Sequence, residues 1–319
     1  SMSFNAISPS RRTRYNSPEL ISTCDPRDRN SSASSFHYDE QLSNRENSFN
    51  INSSAAPQSL IVAPSKMILS EKLTRDIARL AERSIGSRGI FTVGLSAGSI
   101  SKLLTPLAGM RHIEWDKWHI FLCDERCVPE DDLNSNIRAL EEAFLGKVSI
   151  PPKNVHRIKQ NLSPLEAACQ YELQLRGVFG DDIIFPKFDA LLLGCGTDGH
   201  TASLFPGHSI LNEKNCWVVP IEDSPKEPPR RITLTLPVIQ NARTVIFVAT
   251  GEIKALVVRK IFNTSNDSSS LIRNTSSNLP VNLAWPKEGK LVWYVDEDAA
   301  STCSVEIMEL SDSVQRSMW

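Results

Sequence analysis

Two glycine-rich loops and three charged clusters contain the residue types of this chain that can do chemistry. Gly94-Leu95-Ser96-Ala97-Gly98 fits the G-x-S-x-G pattern, in which a serine on a strand-to-helix turn serves as an esterase nucleophile. The same turn can instead meet a phosphate or sugar oxygen, using the Ser96 and Ser99 hydroxyls and the N–H groups near Gly98 at a helix N-terminus. Chain position disfavours the esterase. An α/β-hydrolase lays down several strands and an oxyanion-hole loop before its nucleophile, whereas a Ser/Asn-rich stretch and one helical pattern precede Gly94 here. A tight turn that simply needs glycine is the plain structural reading.

Gly194-Cys195-Gly196-Thr197-Asp198-Gly199 matches G-x-G-x-x-G after an apolar strand, and Glu222 lies near the offset of a ribose-binding acid. A dinucleotide fold needs a long helix directly after the third glycine, and Pro206-Gly207 breaks the chain too early for one. What the loop does offer is Asp198-Gly199-His200. A lone histidine is usually structural, but one set among glycines beside an acid at a strand's carboxyl end suits a general base.

Cys123-Asp124-Glu125-Arg126-Cys127 places three charges at the end of another apolar strand, where a solvated turn is the bland alternative. Pro228-Pro229-Arg230-Arg231 leads into a strand, and Gly251-Glu252-Ile253-Lys254 opens a helix. Each reads as surface charge in isolation. Lys254 near a helix start becomes a phosphate contact if its loop converges with the others.

The elements that must position these residues follow from apolar patterning. Ile68, Leu69, Leu73, Ile77, Leu80 and Ala81 recur at helical spacing, with Ser65 as cap and Gly86 and Gly89 at the end. Strand, loop and helix then recur: Ile90–Leu95 before Leu103, Leu104 and Leu107; Trp118–Cys123 before Asn136–Leu145; and Val245–Ala249 before Glu252–Phe262. Phe188–Leu193 leads into a polar loop, and shorter strands are expected at Trp217–Ile221, Ile232–Leu236 and Leu291–Val295. Runs such as Ala190–Leu193 and Val245–Val248 are apolar without alternation, as in strands covered on both faces. The expected fold is α/β: a doubly wound, mostly parallel, Rossmann-like sheet with helices on both faces. Ligands of such sheets bind beyond the strands' carboxyl ends, so the loops after Leu95, Cys123, Leu193 and Ala249 should converge.

At roughly 150 residues per domain, 319 residues suggest two domains. Residues 1–60, however, hold 15 Ser and 7 Asn with no Gly or Lys, which predicts a disordered extension over 1–65. A single catalytic domain over 66–300 remains, with a polar surface insertion at 263–278 and a tail at 301–319. The 35 Lys+Arg against 37 Asp+Glu give a net charge of -2, which excludes a global field for nucleic acid or an anionic membrane. Mean hydropathy of -0.23 and the lack of an 18-residue apolar run predict a soluble protein. Seven cysteines without a CxxC pair suggest neither a disulfide framework nor a zinc site, and a reducing compartment.

Taken together the motifs resemble the 6-phosphogluconolactonase family. The carrying segments are Gly94–Ser99, Phe121–Pro129 with Asn134-Ser135-Asn136, Leu193–Gly207, Ser224–Pro237 and Thr244–Lys254, spread over roughly residues 66–300. Ala97 stands where the family usually has Gly. The related glucosamine-6-phosphate deaminases typically read DGHxAxNEPG, and this chain has Leu204-Phe205 in place of the Asn-Glu pair. The resemblance therefore implies hydrolysis of 6-phospho-D-glucono-1,5-lactone in the oxidative pentose phosphate pathway, without cofactor or metal. It implies His200 as general base with Asp198 orienting it, and loop N–H groups around Gly194, Gly196 and Gly199 as oxyanion donors. Arg126, Arg231 and Lys254 are the implied phosphate and sugar contacts, with Ser96, Gly98 and Ser99 lining the first loop. Asp124 and Glu125 either bind sugar hydroxyls or hold Arg126. A Ser96 esterase and a non-catalytic sugar-phosphate-binding regulator are the competing readings. A monomer or weak homo-oligomer in the cytoplasm is expected, since the N-terminus shows no signal-peptide pattern and Ser317-Met318-Trp319 is not a peroxisomal signal.

Overall fold

Six apolar strands line up in parallel: in spatial order β1 (Gln58–Ala63), β11 (Lys290–Asp296), β8 (Thr244–Ala249), β5 (Ala190–Gly194), β2 (Phe91–Leu95) and β3 (Trp118–Leu122). The structure is a computed structural model describing residues 58–264, 271–273 and 277–303, all within one compact unit. β2 and β8 are buried at every residue, as their unbroken apolar runs require. The chain moves from β2 outward to β3, then returns past β2 to β5, β8 and β11. With right-handed crossovers this reversal sends the connections to opposite faces and opens a crevice between the carboxyl ends of β2 and β5.

The helices are α1 (Lys66–Arg88), α2 (Ser99–Leu103), α3 (Asn136–Ala143), α4 (Pro164–Phe179), α5 (Leu236–Gln240), α6 (Ala255–Ile261), α7 (Pro280–Leu283) and α8 (Glu297–Ala300). α1 starts where expected, with the Ser65 hydroxyl accepting from the Ile68 N–H, but runs through Gly86 to end at Gly89. The expected helix over Glu252–Phe262 begins with a 3-10 turn at Glu252–Lys254 and ends at Ile261.

One boundary needs correction. β1 lies inside the stretch assigned to a disordered extension: Leu60, Ile61 and Ala63 are buried, and the strand pairs with β11 along its whole length. The folded part thus begins by Gln58, and the rest of the extension lies outside the described residues. Within the expected insertion, β9 (Phe262–Thr264) and β10 (Leu271–Arg273) pair antiparallel, while 265–270 and 274–276 lie outside the described residues.

A second, antiparallel sheet of β4 (Asp124–Arg126), β7 (Arg231–Leu234) and β6 (Val218–Ile221) extends from the end of β3. It carries the charged clusters, so its docking decides where they point. The buried Glu172 carboxylate of α4 accepts from the Trp217 and Val218 N–H groups at 2.9 and 3.3 Å and pairs with Arg176 at 2.7 Å. Arg176 in turn lies over the Trp217 ring, 4.1 Å from its centroid. Removing the carboxylate would strand two buried N–H groups and a guanidinium. Glu172→Ala should lower unfolding free energy by roughly 2–4 kcal/mol in urea titrations.

Candidate active site

Four loops meet at the crevice. The pocket there has a volume of about 220 Å³, and its walls come from Ser96–Ile100 after β2, Asp124 and Arg126 of β4, Gly194–Thr197 and His200 after β5, and Val248–Thr250 with Lys254 after β8. The loops leave their strands under backbone control: Ser96 N–H donates to Leu192 O at 2.9 Å and Cys123 N–H to Leu95 O at 3.0 Å. A larger cleft of about 460 Å³ lies beside Cys127 and Arg230, but no histidine or carboxylate lines it.

His200 is fixed from several sides. Its loop closes on itself through Gly196 N–H to His200 O at 2.8 Å and Gly199 N–H to Gly196 O at 2.9 Å. A Cβ at residue 196 would sit within the His200 ring and against the Asp198 carboxylate, so only glycine admits the imidazole. Gly199 has φ +81, and a Cβ there would meet Leu279 at 2.8 Å. The ring packs on buried Phe205 with centroids 4.7 Å apart, and Nδ1 lies 2.5 Å from Asp198 Oδ1.

Burial works to raise the Asp198 carboxyl, but the hydrogen bond and charge of His200, with Lys226, outweigh it and hold it down at about 2. His200 itself is lowered from its ordinary 6.5: burial disfavours its charged form and Lys226 adds to that, against the acids Asp198 and Asp124. The imidazole is thereby biased toward the neutral form that can accept a proton.

Asp124 lines the pocket and accepts from the Ser203 hydroxyl at 2.6 Å. Glu125 holds Arg126 by its backbone, not by its guanidinium. Its carboxylate is buried and accepts the N–H groups of Arg126, Asn136 and Ile137 at 2.8–2.9 Å, tying β4 to the start of α3. Burial raises its pKa to about 7 against those bonds. Among the described residues neither acid forms an ion pair with Arg126, whose Nη1 donates to Asn134 O while its Nε is buried without a partner. Lys254 reaches the pocket from the 3-10 turn ahead of α6, and burial lowers its pKa.

Two expectations change. Arg231 does not line the pocket: Nε donates to Pro228 O at 2.8 Å, Nη2 to Lys226 O and Glu227 O, and Nη1 to Ser203 Oγ. Its charge is spent on shaping the 224–229 loop. The N–H groups of Gly196 and Gly199 cannot serve an oxyanion, because they close the loop instead. Ser96 is buried and its Oγ has no hydrogen bond to a histidine, so the G-x-S-x-G turn lacks the nucleophile–base contact an esterase needs.

One pocket residue had no counterpart among the sequence candidates. Lys226 Nζ lies 3.2 Å from His200 Nδ1 and 3.4 Å from Asp198 Oδ2. The Ser-Pro-Lys-Glu-Pro-Pro string marked a loop, but nothing local said that it folds onto a histidine 26 residues earlier.

Fold and pocket define an α/β protein with a pocket lined by cationic side chains and the histidine of a histidine–aspartate pair, at the switch point of a parallel sheet. The chain belongs to the family described as glucosamine-6-phosphate isomerases/6-phosphogluconolactonase, whose profile matches residues 64–293. It is 40% identical over 255 residues to the rice protein named probable 6-phosphogluconolactonase 3, chloroplastic, covering 77% of this chain and 76% of that one. It is also 40% identical over 256 residues to rat 6-phosphogluconolactonase, covering 78% and 95%. The solved 6-phosphogluconolactonase of Trypanosoma cruzi superposes with a TM-score of 0.66 at 26% identity, over 77% of this chain and 97% of that one.

Gly196→Ala should lower turnover about 10²-fold by displacing the imidazole, on the order expected for a misplacement of about 1 Å. Its far-UV circular dichroism should match wild type; unaltered turnover would contradict the packing argument.

Proposed function

We propose that this enzyme hydrolyses 6-phospho-D-glucono-1,5-lactone to 6-phosphogluconate, with His200 as general base. The observation that carries this reading is the neutral-biased imidazole, bonded at Nδ1 to Asp198 and sharing a pocket with Arg126 and Lys254. With Nδ1–H donating to Asp198, Nε2 is free to take a proton from water as it attacks the lactone carbonyl. The electron pair of the carbonyl moves onto oxygen and returns as the ring ester C–O bond breaks. The ring oxygen leaves as the hydroxyl of the open acid, taking the proton held by His200. Thr197, on the pocket wall, offers the loop N–H for the transient oxyanion in place of Gly196 and Gly199.

The phosphate end falls to Arg126, Lys254 and the Ser96–Ser99 turn. A buried guanidinium Nε without a partner favours an anionic oxygen as its acceptor. Arg126 is also in cross-strand register with Arg231, a like-charge pairing that an anion relieves. Phe205 supports lactone hydrolysis over ring-opening isomerisation, because an apolar ring occupies the floor beneath His200 where the deaminase loop carries an acid. The oxidative pentose phosphate pathway is the corresponding metabolic setting, and a cytoplasmic location is retained beside the rice relative's chloroplastic name.

Fresh lactone assayed with and without enzyme, glucosamine 6-phosphate in parallel, should show acceleration for the lactone alone. His200→Ala should reduce kcat about 10²–10⁴-fold with little change in KM. Lys254→Ala should raise KM with kcat nearly kept, losing a contact worth roughly 1.5–3 kcal/mol. A fully active His200→Ala enzyme would remove the mechanism.

The pH dependence follows from the lowered His200 pKa. The base works only when neutral, so kcat/KM, corrected for spontaneous opening, should rise with pH through that pKa and level off above it. The midpoint should lie below the ordinary 6.5. An acid limb centred above 6.5 would contradict the assignment.

A further inference from the structure

Lys226 meets His200 on the edge that Asp198 also uses, and one ring nitrogen cannot serve both. Nδ1 of a neutral imidazole carries either a proton or a lone pair, in the same direction. The Asp198 carboxylate at 2.5 Å needs the proton; the Lys226 ammonium at 3.2 Å needs the lone pair. Each partner therefore selects a different tautomer. Asp198 selects Nδ1–H and leaves Nε2 able to accept a proton. Lys226 selects Nε2–H, which cannot act as a base.

The two rivals differ in freedom. Asp198 is held by its two-residue spacing and also accepts from the His200 N–H at 3.3 Å. Lys226 has an anchored backbone, with its N–H on Ser224 Oγ at 3.2 Å and its carbonyl bound by Ser224 and Arg231. Its side chain is 44% exposed and lines the same pocket as Arg126 and Lys254. The ammonium is the part that can swing.

We propose that Lys226 is a positioning residue that competes with Asp198 for His200 Nδ1, and that an anionic sugar phosphate entering the pocket draws Lys226 away and leaves His200 in the Nδ1–H tautomer. This rests on the reading of the pocket as a sugar-phosphate site. It couples arrival of the negatively charged ligand to the state of the base: the cation that greets the anion is the one that had occupied Nδ1. The charged groups facing His200 are Asp198 of its own loop, Lys226 of the 224–229 loop and Asp124 of β4; the remaining face is Phe205. Losing Lys226 removes the cation among them, so His200 gains protons more readily.

The test is tautomer-resolved nuclear magnetic resonance of ¹⁵N-histidine-labelled full-length protein, assigned with His200→Gln, with and without 6-phosphogluconate. Wild type should show His200 sharing two tautomers when free and moving to Nδ1–H on adding 6-phosphogluconate. Lys226→Met should show Nδ1–H from the start and no further change. The acid limb of its kcat/KM profile should move up by about 0.5–1 pH unit, and Lys226→Arg should bring it back toward wild type. A single Nδ1–H tautomer in free wild type, or a tautomer ratio indifferent to Lys226→Met, overturns the competition even with lactonase activity intact. A tautomer that follows Lys226 in a protein whose turnover ignores His200→Gln supports the competition and removes instead the general-base reading.

Discussion

The imidazole of His200 lies in the volume that a side chain at residue 196 would fill. That single close approach dictates the loop around it. Gly196 and His200 lie near enough for their backbones to bond, Gly199 turns the chain at positive φ, and Asp198 is left between them facing Nδ1. The same closure consumes the N–H groups of Gly196 and Gly199. A glycine-rich loop at a sheet's switch point usually offers such groups to phosphate. Here those groups hold the His200 loop closed, and cationic contacts to the pocket fall to other elements.

Those elements bring three cationic side chains to the pocket. A chain with a net charge of -2 has no field to attract anions, yet Arg126, Lys226 and Lys254 all line one pocket of about 220 Å³. Burial lowers the pKa of Lys254, and Arg126 keeps an unpartnered Nε. A folded protein gathers like charges into one pocket only when other interactions enforce it, and such sites mark function. Glu125 is one enforcing device: its three N–H bonds fix the strand carrying Arg126 to α3. Arg231 is another, its donors clasping the loop that presents Lys226.

Much of this was legible in sequence wherever the signal was local. Unbroken apolar runs gave β5 and β8 and hence a covered parallel sheet, and the carboxyl-end rule named the four loops that meet. β1 escaped because five apolar or small residues, Ser59–Ala63, follow a long Ser/Asn-rich stretch, and only pairing with β11, more than 200 residues away, makes them a strand. α4 was passed over although Ser163, Pro164 and Glu166 spell a capping box with proline at the first helical position. For charged residues, type was readable and direction was not. Lys226 lies in the loop ahead of β7 and Arg231 five residues on at the strand's start; the cation singled out turns inward to carbonyls, and the one passed over faces the histidine.

The site lies at a seam between two sheets with different physical roles. The parallel sheet, buried on both faces, supplies rigid strand ends and a glycine loop, and so fixes the position of the His200 ring. The antiparallel sheet β4–β7–β6 and its loops supply Asp124, Arg126 and Lys226. Two ties register one against the other: Glu172 between α4 and β6, and the chain from Asp124 through Ser203 Oγ to Arg231. The second tie runs through Ser203, three residues after His200, so the loop bearing His200 is bonded directly to the sheet bearing Arg126. A shift of the small sheet would therefore pull on the loop bearing His200 together with Arg126 and Lys226, while Lys254 and the Ser96–Ser99 turn stay with the parallel sheet.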